Sequence, residues 1–171
     1  MTSFRPTLLN GCRLAATAAE ARFRINGPAP PARATRVVAL DQGAVAVVAR
    51  TAQRAWQGAV FYAYEPASPG GNGDGRAAEI VLRAPDGTRK RLGEALDGAD
   101  MTVLVATAED GAEAASVIGE RCGRLGIQTT GLVFGQGRAA SVISVLRRHV
   151  RVLVVSGDED DVPELLTALR A

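Results

Sequence analysis

The amino-acid sequence predicts an α/β domain in which a Rossmann-like, mostly parallel sheet carries helices on both faces, preceded by an extra N-terminal helix. Three observations predict it. Short apolar runs alternate with amphipathic stretches from Arg36 onwards, the pattern of parallel strands buried on both sides and joined by crossover helices. At 171 residues the chain suffices for one domain that buries roughly 70% of the surface its unfolded form exposes. Hydrophobic residues make up 47% of the chain and charged residues 22%, a balance that excludes a fibre or wholesale disorder.

The elements follow in order. Leu8, Cys12, Ala15, Ala19 and Phe23 draw one stripe of an N-terminal helix. Asn26 to Pro31 then breaks it, because consecutive prolines remove backbone donors and hold the chain extended. Residues 1–33 therefore form a helix and Pro-rich linker, and 34–171 the wound domain. Arg36 to Leu40 is a buried strand ending at the turn Asp41-Gln42-Gly43. A helix from Ala44 to Gln57 turns Val45, Val48, Ala52 and Trp56 inward, and Val60 to Tyr64 is the second strand of a right-handed βαβ unit. After a glycine-rich loop, Glu79–Leu82 and Thr88–Leu92 flank Asp86-Gly87 as a hairpin. A short helix through Glu94 and Leu96 leads to the strand Met101–Ala106. The next helix carries Ala115, Ile118, Cys122 and Leu125 on its inner stripe. A strand at Ile127–Phe134, a helix packing Val142, Ile143 and Leu146, and a strand at Val150–Val155 come next. The last helix is opened by Asp160, Asp161 and Pro163.

Charge narrows the classes of partner. Lys+Arg number 20 against 18 Asp+Glu, a net charge of +2 with Lys90 the lone lysine, and no clustered basic stripe predicts nucleic-acid binding. No apolar run reaches the roughly 20 residues of a membrane-spanning helix. Cys12 and Cys122 match no metal spacing, and no charged-then-apolar export signal opens the chain, so a cytoplasmic location is expected.

Several segments resemble, in order, the nucleotide-binding domain of the FtsZ/tubulin family. Glu94 to Met101 and the strand after it are similar to the family's "ALEGADM" helix end. Arg36 to Tyr64 matches its first strand, helix and second strand in length. Gly70 to Ala78 resembles a "GGNPEVGRKAA" loop, Leu125 to Val133 resembles "LGALTVGVV", and Leu146 to Val155 resembles "LKEHVDTLIVI". The likeness covers about residues 35–160 and implies an FtsZ/tubulin-type strand order. It also implies where a nucleotide would sit. Family members cradle phosphates with a glycine-rich first turn and a "GGGTGTG" loop, where backbone N–H groups and a helix dipole face the anion. Here the first turn keeps only Gly43, and the second is Thr107-Ala108-Glu109-Asp110-Gly111, whose two carboxylates would each cost a triphosphate roughly 1 kcal/mol. The family's water-activating acidic loop has no counterpart in these 171 residues, so GTP turnover by this chain is not expected.

The candidate binding residues at the carboxyl edge are Asp41, Gln42, Gly43, Gly70, Gly71, Thr107, Gly111, Gly137 and Arg138, with no catalytic residue and no metal ligand assigned. Gly135 to Arg138, before a helix, suits either an anion or a plain turn. Asp41, Glu65, Glu109, Asp110 and Asp158 collect at the same edge. They read either as a cation site or as solvated charge, with Asp110, Asp160 and Asp161 capping helices. His149 lacks a second ligand nearby, and both cysteines and Trp56 read as packing. Three functions stand. The first is a pseudo-GTPase domain working through a protein partner or as a homo-oligomer. The second is a domain still holding GTP, GDP or another nucleotide as cofactor, and the third a small metal-assisted enzyme on the acidic edge.

Overall fold

Seven strands and five helices alternate along the residues that the computed structural model describes, 31–66, 80–135 and 139–171. The expected N-terminal helix, the loop holding Gly70 and Gly71, and the turn holding Gly137 and Arg138 lie outside them. In chain order the elements are β1 (Thr35–Ala39), α1 (Gln42–Ala52), β2 (Ala59–Glu65), β3 (Val81–Arg83), β4 (Arg89–Arg91), α2 (Leu92–Leu96), β5 (Met101–Ala106), α3 (Ala112–Leu125), β6 (Gln128–Phe134), α4 (Ala140–Leu146), β7 (Val152–Ser156) and α5 (Asp161–Leu169). A single 3₁₀ turn, Glu109–Gly111, leads into α3.

The strands form one sheet in the order β4-β3-β2-β1-β5-β6-β7. β2, β1, β5, β6 and β7 run parallel, and the β3–β4 hairpin adds two antiparallel strands beyond β2. The expected Rossmann-like, mostly parallel sheet with helices on both faces is therefore present. Strand order reverses between β1 and β5, which run parallel with their carboxyl ends side by side and Ala39 in register with Val105.

Each central strand is apolar on both sides because each side meets helices. One core layer packs Val37, Ala39, Val103, Val105 and Leu132 beneath α1 and α5, with Val47, Val48, Val162 and Leu166 facing them. The other packs Val38, Leu40, Leu104 and Val133 beneath α2, α3 and α4, with Leu96, Ile118, Cys122, Val142 and Leu146 facing them.

Two helices differ from their sequence expectation. The first ends at Ala52, not Gln57, because the Thr51 carbonyl accepts from Arg54 N–H (3.1 Å) and from Trp56 Nε1 (2.9 Å), turning the chain out of the helix. Its buried face is accordingly Ala44, Val47, Val48 and Thr51, while Trp56 tilts against Phe61 of β2 from a loop. The second, α3, buries Ala114, Ala115, Ile118, Gly119 and Cys122 but leaves Leu125 48% exposed, since the helix is leaving the sheet there. It closes on Gly126 at φ 71°, where Ile127 N–H reaches back to the Cys122 carbonyl (3.0 Å).

At the amino edge, Arg36 donates from Nε to the Ala95 carbonyl and from Nη2 to the Asp97 carbonyl, both at 2.9 Å. Asp100 accepts from Ala34 N–H at 3.0 Å. The segment Glu94 to Met101 thus ties β1 to β5 at the edge opposite the strands' carboxyl ends.

Candidate functional site

Open α/β sheets place ligands outside the carboxyl ends of the strands, at the point where strand order reverses. In this sheet that point lies between the loop after β1, which holds Asp41, Gln42 and Gly43, and the loop after β5, which holds Thr107 to Gly111. Four of the sequence-predicted residues, Asp41, Gly43, Thr107 and Gly111, meet there, and Gln42 stands exposed beside them at the start of α1.

Asp41 is the centre of the arrangement. It adopts an extended backbone before α1, and its Oδ1 accepts from Ala44 N–H (2.8 Å) and from Thr107 Oγ1 (2.6 Å). Its Oδ2 accepts from Thr107 N–H (2.6 Å) and Ala108 N–H (3.1 Å). The residue is 7% exposed. A carboxylate offers about four lone-pair sites, and here four protein donors take them. The positive end of the α1 dipole adds to their attraction. A carboxylate so occupied is poorly placed to bind a cation, and it sits where a bound anion would find the same N–H groups.

Two glycines permit the closeness. A Cβ at Gly43 would lie 2.1 Å from Thr107 Oγ1, and one at Gly111 would lie 3.0 Å from the Leu40 Cβ and 3.4 Å from Asp41 Oδ2. The sequence marks both glycines as backbone approaches; what it does not mark is that the approaching group is this chain's own carboxylate. The backbone donors Ala44 and Ala108 are invisible to side-chain reasoning, and only the Asp three residues before Ala44 signals a helix cap.

The remaining acidic residues do not converge. Glu65 bonds to Arg83 Nε (2.8 Å) and Arg89 Nε (2.7 Å), and the Arg89 hydrogen bond, aided by Arg83, holds its carboxyl below the usual glutamate range. Glu109 and Asp110 are exposed on the 3₁₀ turn, and Asp158 is exposed after β7. Among the described residues no three His, Cys, Asp or Glu side chains are grouped to hold a metal ion. The expected capping by Asp110, Asp160 and Asp161 is not found. The 3₁₀ turn, α3 and α5 have no side-chain cap bond; at α5 the Asp161 carboxylate instead accepts from Ser156 Oγ, and Asp158 takes the Asp160 N–H at 2.9 Å. Asp41, at α1, supplies the cap instead.

Other singled-out residues have packing roles. His149 lies over Gly119 of α3, where an added Cβ would stand 2.5 Å from the His149 Cβ. Cys122 is buried, its Sγ 3.5 Å from Thr102 Oγ1, and burial pushes its thiol pKa up. Among the described residues no buried side-chain nitrogen or oxygen lacks a partner. An apolar hollow of about 150 Å³ lies beside α1, lined by Val45, Val48, Tyr62, Ala63 and Pro85. The chain matches no protein-family model and no curated protein.

Proposed function

We propose that this chain is an FtsZ-like domain that does not turn over nucleotide and acts by binding protein, as a subunit, regulator or self-associating unit. The observation that supports it best is the Asp41 carboxylate at the reversal point of the sheet. There it occupies the N–H groups of Ala44, Thr107 and Ala108 that a phosphate would need. A nucleotide would have to displace a hydrogen-bonded, buried carboxylate and then tolerate it, with Glu109 and Asp110 on the turn that follows. Two negative charges a few ångströms apart repel by roughly 1 kcal/mol even in water and by several in a partly buried setting.

Titration calorimetry of the full chain with GTP and with GDP, each with Mg²⁺, tests the reading. No binding at ligand concentrations of about 1 mM is expected, corresponding to less than about 4 kcal/mol of affinity. Micromolar binding of either nucleotide would sink it and favour the alternative of a retained nucleotide site.

A further inference from the structure

The two edges of the sheet are unlike. β4, at one edge, is Arg89-Lys90-Arg91, exposed along its length, and cations on an edge strand discourage another strand from adding. β7, at the other edge, reads Val152-Leu153-Val154-Val155-Ser156. It pairs with β6 on its inner side, and among the described residues no strand pairs with its outer side. Val152 is 50% exposed and Val155 47%, on opposite faces of the strand, so α4 and α5 leave the edge partly uncovered on both sides. Such an edge offers a row of backbone donors and acceptors flanked by apolar side chains.

Charge selects the occupant. Arg147, Arg148 and Arg151 precede the strand, all exposed, and no acid lies within ion-pair distance of them among the described residues. Asp158, Glu159 and Asp160 follow it, also exposed; Asp158 has no cationic partner among the described residues, while Glu159 and Asp160 meet Arg50 and Arg54. A strand with a basic entrance and an acidic exit is complementary to itself in the antiparallel sense and repels itself in the parallel sense. We infer that β7 pairs antiparallel with β7 of a second copy of this chain about a two-fold axis perpendicular to the sheet. The arginines before each strand then face the acids after the other. This names the partner within the reading of the chain as a protein-binding domain and rests on that reading.

Sedimentation velocity of the full chain over a concentration series up to about 100 μM tests the pairing, with dimer growing in over the micromolar range typical of small interfaces. The doubly substituted Val152→Lys, Val155→Lys chain, altered only at half-exposed positions, should self-associate at least about tenfold more weakly while keeping its circular dichroism. Arg147→Glu, Arg148→Glu, Arg151→Glu in one chain and Asp158→Arg, Asp160→Arg in another should each be monomeric, and mixing the two should restore a heterodimer. A wild-type monomer throughout the series, a dimer indifferent to the two lysines, or a mixture that stays monomeric would each overturn the pairing. Nucleotide calorimetry separates this from the broader reading. A β7 dimer that also binds GTP at micromolar concentration keeps the pairing and favours the retained nucleotide site over the proposed function, whereas a monomer that binds no nucleotide refutes the pairing alone.

Discussion

Replacing Asp41 with alanine would leave the N–H groups of Ala44, Thr107 and Ala108 and the Thr107 hydroxyl without their acceptor. Loss of a helix cap costs about 1 kcal/mol and each stranded buried donor about 1–3 kcal/mol, tempered where water can enter. Urea unfolding should therefore show Asp41→Ala destabilised by about 2–4 kcal/mol, with Asp41→Asn falling between it and wild type. Gly43→Ala drives a methyl into Thr107 Oγ1, and removing that oxygen in Gly43→Ala, Thr107→Ala leaves the nearest atom about where Thr107 Cβ stands, 3.1 Å away. The double variant should thus be less destabilised than the sum of the singles, a coupling that a double-mutant cycle reads directly. Gly119→Ala behaves differently, because its clash is with the Cβ of His149, which His149→Ala retains. These residue choices were legible in part. Asp41, Gly43, Thr107 and Gly111 could be picked from sequence by their place after strands, but the carboxylate's role as an internal anion could not, since it depends on two loops 66 residues apart touching.

The elements themselves were readable wherever one period of hydrophobicity decided them. β5 has the bounds its apolar run predicts, because every residue of it is buried and nothing competes with that signal. The sequence predicts α1 too long because Trp56 falls on the helical stripe, whereas its indole lies beyond the helix and donates to the Thr51 carbonyl of the last turn. At this scale, Gly126→Ala should destabilise α3 by about 1 kcal/mol, since a side chain at φ 71° loses the left-handed freedom the closing turn uses. The β3–β4 hairpin is tied to β2 by Glu65. Its carboxyl pKa is lowered in the folded chain by Arg89 and then Arg83, so the tie contributes stability above the ordinary glutamate pKa and loses it as pH falls through the folded value. Protection of the amides in residues 81–91, taken relative to the intrinsic exchange rate at each pH, should fall on acidification through that range, and Glu65→Gln should flatten the dependence; an unchanged profile would remove Glu65 from the account.

For the whole molecule, the winding of the sheet was predictable because alternation of strand and helix leaves few topologies open. The character of its edges was not, because which strand ends a sheet depends on the order in space, and a valine-rich run reads the same at the centre and at the rim. The strand order turns residues 152–156 from one more core strand into an outer boundary, and residues 89–91 into a basic guard on the opposite boundary. That asymmetry limits growth. Assembly into an open-ended filament needs two different surfaces that fit each other, so that every added subunit presents a fresh one. A sheet with one guarded rim and one self-complementary rim has a single such surface, and pairing consumes it on both copies. Association through β7 therefore stops at two, with the basic strands left at the two far ends of a sheet that runs through both chains.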